Sequence, residues 1–332
     1  MIAKKDNYIN RFDKYKKINL EVNNKIINPN HLKNTITLYK NIFDLRPRII
    51  LNFTILPIIY INLISRFIKL KSINTFTGLG EIYTKKNIKY KIIKYLLHKI
   101  ILNKNNIFCF QNKVDLKYFN HILKFKRNYL VHGSGINDSN YILNQKFISK
   151  KDKLIFLMCA RLIEEKGYKE YFNAIKRFFL SNNKAKFIYI GEVNQKTLKE
   201  FSLHDFIDDG RLTIYPFLNK EELIKILGIS DCVILPSYYR EGCPHILLEA
   251  LVLNKPIITT VKNHSSQLIK DGFNGYRVGI KNSEALCEKL IKFTNLNSSE
   301  RIEMGENSKI LVKKFSIERI IKRYDDLIEQ NI

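Results

Sequence analysis

The sequence predicts an open α/β fold of two parallel-sheet domains in series, and three observations carry that reading. Short β-rich runs alternate with amphipathic helical stretches along the chain, as in βαβ units. The runs are apolar throughout, as strands buried on both faces are. The 332 residues suffice for two cores of ordinary size, and 45% hydrophobic against 27% charged residues describes a folded chain.

In the first half the strands are RIILNF, SINTFT, NIFCF and NYLV. Residues 49–68, IILNFTILPIIYINLISRFI, look membrane-like, but Asn52, Pro57, Asn62 and Arg66 interrupt them. A span needs ~18 unbroken apolar residues. The stretch divides instead into a strand, Ile49–Phe53, and a helix beginning near Pro57. Ahead of it only MIA and KINL read as strand fragments, and no glycine precedes Gly78. The strand, glycine-rich turn and helix that open a doubly wound domain have no counterpart, so the N-terminal domain is expected to be incomplete. Residues 85–104, KKNIKYKIIKYLLHKIILNK, put Ile88, Ile92, Leu96 and Ile100 on one stripe among lysines. Core packing of that stripe is favoured, with electrostatic attraction of the basic face to an anionic membrane beside it.

The polar stretch NQKFISKKDK, residues 144–153, marks the boundary. Beyond it LIFLMC (154–159), KFIYIG (186–191), RLTIYP (211–216), DCVILP (231–236) and PIITT (256–260) are strands, with helices such as GYKEYFNAIKRFFL and NKEELIKILG between them. FSIERIIKRYDDLIEQ carries one apolar stripe and is a helix packed on another part of the molecule. The expected division is residues 1–147, 148–315 and a C-terminal helix, 316–332, packing back on the first domain.

The net charge of +26 is uneven: residues 1–150 hold 28 Lys and Arg against 7 Asp and Glu, and residues 151–332 hold 29 against 24. A basic, partner-facing surface belongs to the first half, unless its lysines are only a solvated face. The five cysteines, Cys109, Cys159, Cys232, Cys243 and Cys287, form no Cys-x-x-Cys pair and no cluster with histidine. Neither a disulfide framework nor a zinc site is indicated, and a reducing compartment fits. The start, MIAKKDNYINRF, lacks the apolar core of a secretory signal.

The chemistry gathers in SYYREGCPHILLEAL, residues 237–251. DCVILP runs into a loop at the carboxyl end of a parallel sheet, the usual ligand position in such folds. Gly242 permits close approach, and Pro244 suits the start of a helix from about His245 to Leu253 whose free amides favour an anion. Glu241 in the loop and Glu249 one turn inside the helix can face one ligand. In LMCARLIEEKG, Arg161 ends a strand and Lys166 follows five residues on. A planar fork and a mobile ammonium suit a diphosphate, and carboxylates accept hydrogen bonds from sugar hydroxyls. Gly78 and Gly80 follow another strand, with Lys85 and Lys86 beyond; they form either an anion loop for an acceptor diphosphate or a plain turn with solvated lysines. His98, His121 and His132 are considered as acid/base groups, and none is specific.

ARLIEEKG, then LPSYYREGCPHILLEALVLNKPIITT and DGFNGYRV, resembles the retaining glycosyltransferases of family 4, and the resemblance covers nearly the whole chain. INPNHLKNTITLYKNIF, RPRIILNFTILPIIYI, INTFTGLG and VHGSGIN resemble the branch that builds bacterial surface glycans on undecaprenyl diphosphate, with YREG-x-P similar to PglA-like N-acetylgalactosaminyl- and galactosyltransferases. The resemblance implies the GT-B fold, two Rossmann-like domains facing across a cleft, and retention of anomeric configuration. It gives Arg161 and Lys166 to the donor diphosphate, Glu241 to the donor sugar as the catalytic carboxylate, and Glu249 to the ribose. Gly242, Cys243 and Pro244 complete the donor-binding loop. It implies a UDP-sugar donor, a polyprenyl-diphosphate-linked or glycan acceptor, no cofactor and no metal, at the inner face of the cytoplasmic membrane. Val261, His264 and Gln267 depart from the family pattern, and His245 stands where relatives carry Arg. MIAKKDNY resembles the middle of the family's second strand, so a catalytically inactive, nucleotide- or partner-binding remnant is the alternative to an active enzyme. Nucleic-acid binding rests on charge alone, without a supporting motif.

Overall fold

The computed structural model describes residues 2–4, 18–20, 30–85, 87–101, 106–123, 127–141, 153–261 and 267–331. Among these residues every sheet is parallel. Strands β1 (Ile2–Lys4) and β2 (Ile18–Leu20) pair with each other. Strands β3 (Ile50–Phe53), β4 (Ser72–Phe76), β5 (Ile107–Phe110) and β6 (Asn128–Leu130) form a second sheet in chain order. The third sheet has the order β12-β11-β10-β7-β8-β9, from β7 (Leu154–Cys159), β8 (Ala185–Ile190), β9 (Leu212–Tyr215), β10 (Cys232–Leu235), β11 (Ile257–Thr260) and β12 (Gly275–Val278). Two parallel-sheet domains in series are what the alternating pattern predicts. Strand β12 lay hidden in sequence because only four residues of DGFNGYRV extend, and two of them, Gly275 and Arg277, are not apolar. The boundary stretch lies outside the described residues except for Lys153.

Helices α1 (Asn30–Leu45), α2 (Ile55–Ile64), α3 (Gly80–Thr84), α4 (Ile88–Ile101) and α5 (Lys113–Leu123) accompany the four-stranded sheet. Helix α2 begins two residues before Pro57, because Thr54 turns the chain at φ 71° and a proline in the first turn lacks only an amide that would be unpaired anyway. The buried side of α4 is not the stripe read from the sequence. Tyr90, Leu97 and Ile101 are buried, whereas Ile88, Ile92, Tyr95 and Leu96 are exposed. Leu97 and Ile101 meet an aromatic core in which Phe76 stacks on Phe110 at 5.1 Å and on Phe119 at 4.8 Å. One amphipathic turn offers two apolar stripes, and the aromatic rings of β4, β5 and α5 select the one with Leu97.

Period-two alternation divides β4 and β5 between two faces. Phe76, Phe108 and Phe110 point to the α2 and α4 side. Ile73, Ile107 and Cys109 point to the other, where they meet Ile320 and Leu327 of the C-terminal helix α13 (Ile317–Glu329). Tyr324 of that helix hydrogen-bonds Thr75 Oγ1 at 2.8 Å. Burying Ile320 and Leu327 contributes about 1.5–3 kcal/mol each. The chain returns to this sheet where Ile136 pairs with Ser316: the Ile136 amide donates to Phe315 O at 2.9 Å and the Ile317 amide to Ile136 O at 3.0 Å.

The six-stranded sheet is covered by α6 (Tyr168–Phe178), α7 (Gln195–Glu200), α8 (His204–Asp208), α9 (Lys220–Ile229), α10 (His245–Val252), α11 (Ser283–Thr294) and α12 (Ser298–Val312). Its core packs Phe156 against Phe178, Phe187 and Phe293 at ring distances of 5.2–6.2 Å. Asn side chains cap α7, α9, α11 and α12, with capping boxes at Asn219 and Asn297. Among the described residues no helix is long and apolar enough to cross a membrane.

Candidate active site

Strands β7 and β10 are neighbours, pairing Cys232 with Phe156 and Val233 with Leu157, while the chain runs outward from β7 to β9 on one side and from β10 to β12 on the other. The crevice beyond their carboxyl ends is therefore the topological switch point, where open α/β sheets take ligands. Two loops meet there. The loop after β7 forms a single 3-10 turn, Glu164–Lys166, closed by Gly167 at φ 84°. A side chain at Gly167 would run into the Pro236 carbonyl, so glycine is required for the two loops to touch. The Glu165 carbonyl accepts from the Tyr238 amide at 2.8 Å and the Tyr239 amide at 2.9 Å, and Ser237 Oγ lies 3.1 Å from it.

These contacts bring Lys166 and Glu241 together. Lys166 Nζ lies 2.7 Å from Glu241 Oε2, with side chains 13% and 14% exposed, so the pair is only lightly screened. Ser237 Oγ donates to Glu241 Oε1 at 3.1 Å, and the Lys166 ammonium stands 5.7 Å from the Tyr239 ring centre. Arg161, just past β7, is exposed, and its side chain has no hydrogen bond or ion pair among the described residues.

Helix α10 opens at the same crevice. Pro244 stands one residue before it, at φ −62° and ψ 118°, and no side chain caps it. The Leu247 and Leu248 amides turn back to Pro244 O at 3.2 and 3.4 Å, and among the described residues the His245 and Ile246 amides have no partner. Unpaired amides at the positive end of a helix dipole attract an anion. Glu249, one turn in, is 7% exposed; its Oε1 accepts from Tyr141 Oη at 2.8 Å and lies 3.1 Å from His245 Nδ1. Burial and the Glu249 charge push the Tyr141 hydroxyl well above its ordinary pKa, so it stays a donor.

The nearby thiols are inert. Burial first, and Glu249 second, push Cys159 up to about 12, and burial followed by Glu241 raises Cys243. Burial holds the half-buried His132 imidazole below its usual value, hence neutral at pH 7. Among the described residues no group of three or more His, Cys, Asp or Glu side chains could hold a metal ion.

The turn at Gly78 and Gly80 reaches the same crevice, but its amides do not face an open anion site. The Leu79 and Gly80 amides both donate to Arg240 O at 2.9 Å, and Gly78 pairs with Glu241 as an antiparallel bridge. An added Cβ at Gly78 would lie 2.6 Å from the Gly242 nitrogen, and one at Gly242 would collide with Gln111 Oε1 and Thr77 O. The two glycines thus let the N-terminal sheet's loop and the Glu241 loop touch. Lys85 is engaged by Glu81 on its own helical turn, and Lys86 lies outside the described residues, as does His264. Val261 is exposed, and Gln267 donates to Gln111 O at 3.0 Å across the crevice.

Sequence reasoning missed Ser237, Tyr141, Asn112 and Asp115. Asn112 and Asp115 had a visible signal, since Asn-Lys-Val-Asp before an amphipathic run is a cap, and the Asp115 amide does donate to Asn112 Oδ1 at 2.7 Å. Nothing local marks the 108-residue separation between Tyr141 and Glu249.

Residues 142–329 match the family model described as glycosyl transferases group 1. The N,N'-diacetylbacillosaminyl-diphospho-undecaprenol alpha-1,3-N-acetylgalactosaminyltransferase of Campylobacter jejuni is 23% identical over 269 residues, 77% of this chain and 69% of that protein. The UDP-Gal:alpha-D-GlcNAc-diphosphoundecaprenol alpha-1,3-galactosyltransferase of Escherichia coli is 26% identical over 190 residues, 56% of this chain and 48% of that protein. In fold, the crystal structure of a glycosyltransferase from Rickettsia africae ESF-5 superposes with a TM-score of 0.77 at 18% identity, covering 99% of this chain and 89% of that one.

Proposed function

The chain belongs to the group 1 glycosyl transferases, and we propose that it moves a hexosyl or N-acetylhexosaminyl unit from a UDP-sugar to a polyprenyl-diphosphate-linked or surface-polysaccharide acceptor, with retention. One observation carries the proposal. Arg161, Lys166, the uncapped start of α10, Glu241 and Glu249 converge on the switch point of one sheet. Cations and helix amides suit the diphosphate, and Glu249 Oε2, opposite the oxygen held by Tyr141, suits the ribose diol. Glu241 then faces the donor sugar, oriented by Lys166 and Ser237.

The cleft's chemistry is charge stabilisation. As the glycosidic bond breaks, negative charge grows on the departing diphosphate, and the cations of Arg161 and Lys166 and the α10 amides are the groups that stabilise it in this reading. The activities named for the Campylobacter and Escherichia coli relatives support the choice of acceptor, and the latter that of donor. The exposed apolar residues of α4, Ile88, Ile92, Tyr95 and Leu96, stand among Lys89, Lys91 and Lys99. They support a peripheral position at the inner face of the cytoplasmic membrane, where such an acceptor would be presented.

Calorimetric titration with UDP tests the donor site. Arg161→Ala is expected to weaken UDP binding about tenfold or more, as loss of a charge-assisted contact does. Equal affinity in the variant would remove Arg161 from the site and leave the proposal without its main cation.

A further inference from the structure

The seam between the two halves passes through the residues on either side of Glu241. Arg240, immediately before it, extends into the N-terminal half. Its Nη2 lies 3.0 Å from Asp115 Oδ1, with the arginine side chain 20% and the aspartate 1% exposed. The guanidinium carbon stands 4.6 Å from the Tyr118 ring centre and 5.8 Å from that of Tyr83. Asp115 Oδ2 accepts from Asn112 Nδ2 at 2.9 Å, and the same Asn112 nitrogen reaches Gly242 O at 3.1 Å. The backbone repeats the attachment. Arg240 O takes the Leu79 and Gly80 amides, the Arg240 amide reaches Thr84 Oγ1 at 3.3 Å, and the Gly242 amide donates to Thr77 O at 3.1 Å. Residues 240 and 242 therefore belong to the N-terminal half by contact, while the side chain between them turns to Lys166 and Ser237 of the other half.

We infer that Arg240 and Asp115 are positioning residues for sugar transfer: their ion pair anchors the loop to the N-terminal half and fixes the Glu241 carboxylate against the donor sugar. The inference rests on the reading of Glu241 as the donor-sugar ligand. Asp115 is almost fully buried, so removing Arg240 takes away a charge partner where solvent cannot replace it, and the pair ties the setting of the loop to the N-terminal half. Arginine is specific here because its planar fork meets the carboxylate while its face lies on the Tyr118 ring, which a lysine ammonium does not reproduce. Arg161, Lys166, α10 and Glu249 all lie on the C-terminal half, so UDP binding does not need the seam. Turnover does.

The test compares wild type, Arg240→Lys, Asp115→Asn and the double variant, each checked by thermal melting, for UDP dissociation constant and for kcat with a labelled UDP-sugar. The expected result is a UDP dissociation constant within about twofold of wild type and a kcat lower by about ten- to a hundredfold, the effect of misplacing a reacting group. The double variant should be no worse than the more affected single one, since both break one contact. If Asp115→Asn fails to fold, Arg240→Lys decides alone. Unchanged kcat in Arg240→Lys, or loss of UDP affinity in step with kcat, overturns the inference while the donor site stands. A wild-type chain that binds no UDP overturns the donor site and this inference together.

Discussion

Glu249 shows how a single residue acquires its role from distant partners. A carboxylate that is 7% exposed must be held by donors, and Tyr141 and His245 both approach the same oxygen. Tyr141→Phe keeps the ring in the core and removes one hydrogen bond to a charged acceptor. UDP binding is expected to weaken about five- to tenfold, read by calorimetry; an unchanged affinity would show that Tyr141 does not orient Glu249. Arg161, Lys166, Glu241 and Glu249 stood out as candidates in the sequence because strand ends and helix offsets are local patterns. Tyr141 and Ser237 were not legible, and Asp115 was legible as part of a cap but not as the partner of Arg240, because these parts depend on contacts that local pattern does not encode. Gly78 and Gly80 are instructive in the other direction. The reading that glycines admit close backbone approach holds, but the group that approaches is the Arg240 carbonyl of the same chain.

At the scale of elements, periodicity identified strands and helices but did not choose between two apolar stripes on α4. That choice was made by Phe76, Phe110 and Phe119, whose packing is tertiary. The unchosen stripe, Ile88, Ile92, Tyr95 and Leu96, is left exposed beside lysines. It should bind liposomes containing anionic lipid at low salt and release them as salt rises past roughly 0.15 M, where screening shortens to about 8 Å. Replacing Ile92 and Leu96 with Ser should weaken binding without changing UDP affinity. Equal sedimentation with neutral and anionic vesicles would contradict the electrostatic part. Helix α13 illustrates the opposite case: its single apolar stripe was plain in FSIERIIKRYDDLIEQ, but only topology reveals that the stripe covers Ile73, Ile107, Cys109 and Val131.

Across the whole molecule, two half-buried histidines, His98 and His132, titrate low. His98, bonded to Tyr83 Oη at 3.0 Å, and His132, edge-on to Phe315, are held below the ordinary imidazole value, chiefly by burial. The unfolded chain therefore takes up protons before the folded one does. Their contribution to stability is complete above about pH 6.5 and is lost as pH falls through the lowered folded values. Thermal melts of wild type should fall between pH 7 and 5, and the double variant His98→Gln, His132→Asn should fall less. An equal slope in both would contradict this.

The central claim is that the switch-point residues form a donor site whose sugar faces Glu241. The most direct measurement is transfer of labelled sugar from UDP-sugar donors to polyprenyl-diphosphate-linked acceptor by wild type and Glu241→Gln. The account predicts labelled lipid product with wild type, and at least about a hundredfold slower formation with Glu241→Gln at similar UDP affinity, as expected when an interaction made in the transition state is removed. Product formed equally well by Glu241→Gln would contradict it.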